Sequence, residues 1–272
     1  MTKEWVEWHS NYDNDPTLRR RLAEVQLRIR EALDRAPPGP IRIISACSGD
    51  GRDLLGVLEG HARAPDVRAR LVELDPELVK RGRYRASTLG LLGVEFQEGD
   101  AGQTSAFEGA VPADLVLLCG IFGNVTADDL RNTVAHAVEL CAPGATVIWT
   151  RGRFEPDLTP TVRAWFERAG FRELSFVTIE GSTKAVGSGR LAIYSRPFRP
   201  GVRLFTFLPE TKRPSRQANA TSRRARPKPP SPPPKAKGVT PTPRPPPAKS
   251  RASPKGSVRS KKSGRTRGRA TG

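Results

Sequence analysis

The chain has 272 residues, enough for one substantial domain, and carries 46 Lys and Arg against 28 Asp and Glu. The excess is local: residues 211–272 hold 19 of the basic residues and none of the acidic ones, leaving 27 basic and 28 acidic residues before them. A uniformly basic globule is therefore excluded, and so is a membrane helix, because no run approaches the ~18 apolar residues that a span needs.

In chain order, Leu18, Leu22, Val25, Ile29 and Leu33 recur at spacings of three and four and predict an amphipathic helix. Asp15 and Pro16 start it, and it ends before Pro37. Ile41–Ala46 reads as a β-branched strand, followed by the glycine turn of "SACSGDG" and a short helix from about Asp53. "RARLVELD" is the second strand, and Asp75, Pro76 and Gly90 supply the cap, first residue and stop of the next helix. "VEFQEGD" and "ADLVLLCG" are the third and fourth strands. A helix capped by Thr126 and Asp129 follows, with Leu130, Val134, Val138 and Cys141 on one face, ended by Pro143 and Gly144. "ATVIWT" is the fifth strand and "TPTVRAWFERAGF" a further helix. "RELSFVTI", "RLAIYS" and "RLFTF" are the remaining strand candidates.

Strands alternating with helices predict an α/β fold, a Rossmann-like, doubly wound and mainly parallel sheet covered on both faces. In such sheets ligands sit beyond the carboxyl ends of the strands, at the point where strand order reverses. That rule selects residues 45–53, 73–75, 99–101, 119–124 and 150–153.

The glycine turn leaves several adenosine ligands open. Gly49 and Gly51 match two glycines of the dinucleotide pattern, but Leu54 stands where the third belongs, which weighs against an NAD-dependent oxidoreductase. Glu73, at the end of the second strand, is placed for ribose hydroxyls, and its charge disfavours a 2′-phosphate. Asp100 and Ala101 follow the third strand, where the carboxylate suits an adenine amino group. Cys119 and Gly120 end the fourth strand in the small, apolar "CGIFGN".

This ordered set resembles the class I S-adenosylmethionine-dependent methyltransferases over residues 40–180. "SACSGDG" stands where that family has D/E-x-G-x-G-x-G, "ELDPEL" and "GDA" match later positions, and "LCAPGATVIWT" precedes the fifth strand. Within the family the chain is similar to bacterial members that begin with a W..WH..YD element and carry "DLVLLCGIFGN" and "WTR". The resemblance implies S-adenosyl-L-methionine as cofactor, held by Ser45, Ala46, Cys47, Gly49, Gly51, Glu73, Asp100, Ala101, Cys119 and Gly120. Two positions depart from it. Ser45 replaces an acid that anchors the methionine amino group, and Cys47 replaces the first glycine. The fourth strand also lacks the Asn/Asp-Pro-Pro-aromatic signature of base-amino methyltransferases, so a small-molecule acceptor is expected.

Residues 1–39 are expected to form an N-terminal helical lid, 40–210 the Rossmann-like domain and 211–272 a disordered tail rich in Lys, Arg and Pro. Trp5, Trp8, His9 and Tyr12 lie in the lid. His9 and Tyr12 are candidates for contact with the acceptor, His9 as general base, and Arg151 after the fifth strand faces the same crevice. The tail's charge suits non-specific binding of a polyanion or nucleic acid, and a non-catalytic body that only holds cofactor is the rival from another class. Cys47, Cys119 and Cys141, odd in number and without metal-ligand spacing, suit free thiols in a reducing cytoplasm. The polar start, "MTKEWVEWHSNYDND", is not a signal peptide, and no metal is implied.

Overall fold

A computed structural model describes Tyr12 and residues 14–209. Trp5, Trp8 and His9 of the expected lid, and the tail from residue 210, lie outside the described residues. Seven strands form one sheet: β1 (Ile41–Ala46), β2 (Val67–Glu73), β3 (Val94–Glu98), β4 (Ala113–Leu118), β5 (Cys141–Gly152), β6 (Phe171–Thr178) and β7 (Lys184–Leu191). Their order is β3-β2-β1-β4-β5-β7-β6. The first five run parallel, and β7 inserts antiparallel between β5 and β6. The order reverses between β1 and β4, which are adjacent (Ile43 beside Leu115, Ser45 beside Leu117). This is the expected mainly parallel Rossmann-like architecture.

The helices are α1 (Pro16–Arg35), α2 (Arg52–Leu58), α3 (Pro76–Thr88), α4 (Ala127–Leu140) and α5 (Thr159–Arg168). Strand residues alternate between two cores. Ile41, Ile43, Leu115, Leu117 and Ile148 pack with Val25, Ile29 and Leu33 of α1, Leu54 and Leu55 of α2 and Val79 of α3. Ile44, Ala46, Val116, Leu118 and Trp149 pack with Leu130 and Val134 of α4 and Val162 and Phe166 of α5. Burial on both faces explains the consecutive apolar residues Leu115–Leu118 of β4 and Val147–Trp149 of β5. The caps are as expected. Asp15 Oδ1 accepts from Thr17 N at 2.7 Å, Asp75 Oδ1 from Glu77 N at 2.9 Å and Thr126 Oγ1 from Asp129 N at 3.1 Å.

Three expectations need correction. The helix α4 ends at Leu140, so Cys141 opens β5 and is not on the helix face. The strand expected at "RLAIYS" lies earlier, over Lys184–Leu191, and contains Gly187 and Gly189. A side chain at 187 has no room: a Cβ there would come within 2.2 Å of the Trp149 indole. "RLFTF" is not a strand but a strap. Leu204 N donates to Gly102 O at 2.7 Å, Asn132 Nδ2 and Thr133 Oγ1 donate to Leu204 O at 3.0 Å, and Leu208 N donates to Asn124 O at 2.8 Å. Arg199 on Glu139, at 2.6 Å, fastens its start to α4. His61 is buried, with Nδ1 accepting from Arg63 N and Nε2 lying 3.3 Å from Asp34.

Candidate functional site

The carboxyl ends of β1, β2 and β3 are laced together around the glycine turn. Ser48 N donates to Val72 O at 3.0 Å, and Gly99 N donates to Glu73 O at 2.9 Å. The Glu73 carboxylate then ties the turn itself: Oε2 accepts from Gly49 N at 2.8 Å, while Oε1 accepts from Leu74 N at 2.9 Å and Asp75 N at 3.0 Å. Glu73 is buried, and burial raises its pKa against the lowering effect of those three donors. Asp75 serves as the helix cap, so the division of roles between the two acids follows the expected register.

The turn is left-handed three times over, at Cys47 (φ 54), Gly49 (φ 59) and Gly51 (φ 72). Among the described residues Cys47 is the one non-glycine residue with positive φ, which is why a glycine is favoured at that position. Its thiol is pushed well above the usual range by burial, then by the negative charges of Glu73 and Asp100. Gly51 also has a packing part: a Cβ there would lie 2.6 Å from the Phe96 ring and 2.9 Å from Leu71, so the glycine lets the start of α2 close on β3.

Asp100 and Ala101 follow β3 as expected. Asp100 is exposed, accepts from Gly102 N at 2.8 Å through Oδ1, and is paired with Arg203 of the strap at 2.6 Å through Oδ2. Ala101 is buried in the core beneath it. Ser45 is fully enclosed within β1, and Ala46 beside it is core. Cys119 and Gly120 end β4 over Thr150, whose Oγ1 accepts from Gly120 N at 2.9 Å. Burial holds the thiols of Cys119 and Cys141 far above the ordinary range, so neither is a thiolate nucleophile.

Two candidates on the crevice rim are described. Tyr12 is buried over the turn, with the Arg52 guanidinium 4.6 Å from its ring centroid and its hydroxyl accepting from Arg21; burial raises its pKa. Arg151 is buried at the end of β5, where Nη1 donates to Phe122 O and Nε has no partner. Desolvation lowers its pKa, opposed by Asp157. His9 lies outside the described residues.

Sequence reasoning missed Arg203 and gave no role to Thr150, Asn124 and Asp53, although these three lie within the stretches it selected. Thr150 and Asn124 pin the loop after β4, Asn124 through Nδ2 on Gly120 O at 2.7 Å. Arg203 reaches Asp100 from 103 positions away, which no local pattern signals. Asp53 is the last of them. It is a carboxylate only 9% exposed, in an otherwise apolar helix turn, and burial pushes its pKa up to about 6. A charge inside "DLLGVL" was the available signal. Among the described residues no group of three or more His, Cys, Asp or Glu is placed to hold a metal ion, and no helix is long and apolar enough to cross a membrane.

No family model matches the chain, and no curated protein matches it. Solved structures match it in fold. The CurJ carbon methyltransferase superposes with a TM-score of 0.53 at 15% identity, over 67% of this chain and 57% of its own. The likeness is one of fold, a Rossmann-like sheet that this methyltransferase also has. A possible exported protein from Bordetella parapertussis superposes with a TM-score of 0.50 at 19% identity, over 62% of this chain and 68% of its own. An O-methyltransferase family protein from Burkholderia thailandensis gives 0.48 at 21% identity, over 61% and 56%. The chain thus spans little more than half the length of these two methyltransferases (57% and 56%).

Proposed function

We propose that the Rossmann-like body binds S-adenosyl-L-methionine across the ends of β1–β4 and transfers its methyl group to a small-molecule acceptor. The observation that carries this reading is the Glu73 carboxylate at 2.8 Å from Gly49 N, which joins the acid of β2 to the glycine turn of β1 at the reversal of strand order. The residues suit the cofactor. Glu73 Oε2, which accepts from Gly49 N alone, retains acceptor capacity for a ribose hydroxyl, and Asp100 follows β3 on the adenine side. Cys119 and Gly120 floor the crevice with small groups.

When bound, the cofactor supplies a methyl group on a positively charged sulfur. Displacement at that carbon needs alignment and exclusion of water more than acid–base groups, so the body's task is to orient. Tyr12 stacks on the Arg52 guanidinium next to Gly51, and Asn124 and Thr150 fix the loop after β4. Calorimetry with S-adenosylmethionine, S-adenosylhomocysteine and NAD tests the cofactor, with binding of the first two and none of NAD expected. Production of S-adenosylhomocysteine from a panel of small acceptors then separates transfer from mere holding.

A further inference from the structure

Asp53 stands two residues after Gly51, on the flank of the turn that would carry the cofactor. Its carboxylate faces Asp50 of the same turn, Arg21 and Tyr12 on the α1 side, and Cys119 at the end of β4, the groups whose charges act on it or on which it acts. Oδ1 accepts from Leu54 N at 2.8 Å, an interaction with its own helix turn. Among the described residues no cation lies within ion-pair distance of it. Arg52, its neighbour, is instead turned to Asp50 at 2.6 Å. The carboxylate is the acid of the first turn of α2 and has backbone donors there, but a carboxylate buried to this degree without a cation remains costly. An incoming cation would remove that cost.

We propose that Asp53 receives the α-ammonium group of the cofactor's amino-acid end. The inference rests on the cofactor reading above and adds a residue to it. The chemistry is specific. The adenosyl end offers hydroxyls and ring nitrogens, whereas the amino-acid end offers a compact ammonium with three donors, which a carboxylate satisfies best. Ser45, enclosed within β1, cannot supply a charge there. Asp53 is also set apart from Glu73, whose two oxygens already serve three backbone donors.

The test compares S-adenosylhomocysteine with its deamino analogue, which lacks only the amine, on the full chain by calorimetry. Loss of a charge-assisted hydrogen bond should make Asp53→Asn bind S-adenosylhomocysteine about ten- to a hundredfold more weakly. The analogue's affinity should be unchanged in that variant. Equal weakening of both ligands would show a structural role for Asp53 and overturn the assignment, as would no weakening of either. A measurement on the wild-type chain needs no variant: affinity for S-adenosylhomocysteine should fall as pH drops below about 6, where the free carboxyl takes up a proton, and affinity for the analogue should not. Parallel pH profiles would overturn the assignment while leaving the cofactor reading intact. Failure of the wild-type chain to bind either compound would overturn both.

Discussion

Gly51→Ala isolates what the glycine turn does for the fold. The residue has φ +72, and a Cβ there would come 2.6 Å from Phe96 Cζ and 2.9 Å from Leu71 Cδ2. The Phe96 ring cannot retreat freely, because it is wedged against Gly82 of α3, where a Cβ would meet it at 2.2 Å. Left-handed backbone costs an alanine about 1–2 kcal/mol. Overpacking a filled core adds about 1–3 kcal/mol. Reduced freedom of the unfolded chain returns only about 0.4–1 kcal/mol. The net loss should be about 2–4 kcal/mol, which lowers Tm by roughly 5–15 °C for a body of this size. Gly60→Ala is the control, since it has φ +77 and nothing within 4 Å, so only the backbone cost applies. Urea and thermal unfolding followed by circular dichroism would measure both. If Gly51→Ala is no less stable than Gly60→Ala, the Phe96 packing argument is refuted and the glycine must be kept for something outside the core.

Asp53 gives a pH signature in the ligand-free protein. Its pKa is raised from 3.8 to about 6 in the folded state, so the folded chain holds a proton that the unfolded chain has released. Its contribution is therefore present in full below about pH 4 and lost as pH rises to about 6, some 2–3 kcal/mol at most; Asp53→Asn should be the more stable protein at pH 8, and equal stability there would refute the burial argument. Asp75→Ala should lower stability by about 1 kcal/mol through loss of the α3 cap and leave S-adenosylhomocysteine affinity nearly unchanged. Residues 211–272, with 19 positive charges and no aromatic residue, should bind a mixed-sequence oligonucleotide with an affinity that falls steeply with salt. Equal oligonucleotide affinity in the full chain and in a chain ending at Glu210 would remove the tail from that role.

Much of the fold was legible because its signals are local. The helix α1 repeats apolar residues every three or four positions, and β4 carries the apolar run Leu115–Leu118 because both sheet faces are covered there. What stayed hidden depends on distant partners. The central residues of β7 include Gly187, Ser188 and Gly189, poor strand formers, and the strand exists because the Trp149 ring occupies the volume that a side chain at 187 would take. The segment around Leu204 and Phe205 alternates like a strand, yet the Leu204 carbonyl is satisfied by Asn132 and Thr133 of α4. The candidate site divides the same way. The strand-end residues Glu73, Asp75 and Asp100 follow from register, whereas the approach of Arg203 to Asp100 requires the strap.

Buried ionisable groups are the most informative residues at this end of the sheet, provided each is first asked for a structural partner. Glu73 has a full structural account: three backbone donors would go unsatisfied without it, so its burial alone argues little for a ligand. Arg151 has a partial account, since one donor meets Phe122 O while Nε meets nothing. Asp53 has only local partners, the backbone of its own helix turn at Leu54 and Asp53, and no cation among the described residues within ion-pair distance. A scaffold under selection for stability alone would do better with an apolar residue in that position, because the helix turn around it is already core. The three groups thus rank in the order opposite to their structural satisfaction, and the inference of function is strongest where the fold has least use for the charge. Stability measured at pH 8 and affinity for the amine-bearing ligand should therefore move in opposite directions in Asp53→Asn, a pairing that neither a structural carboxylate nor a surface one would produce.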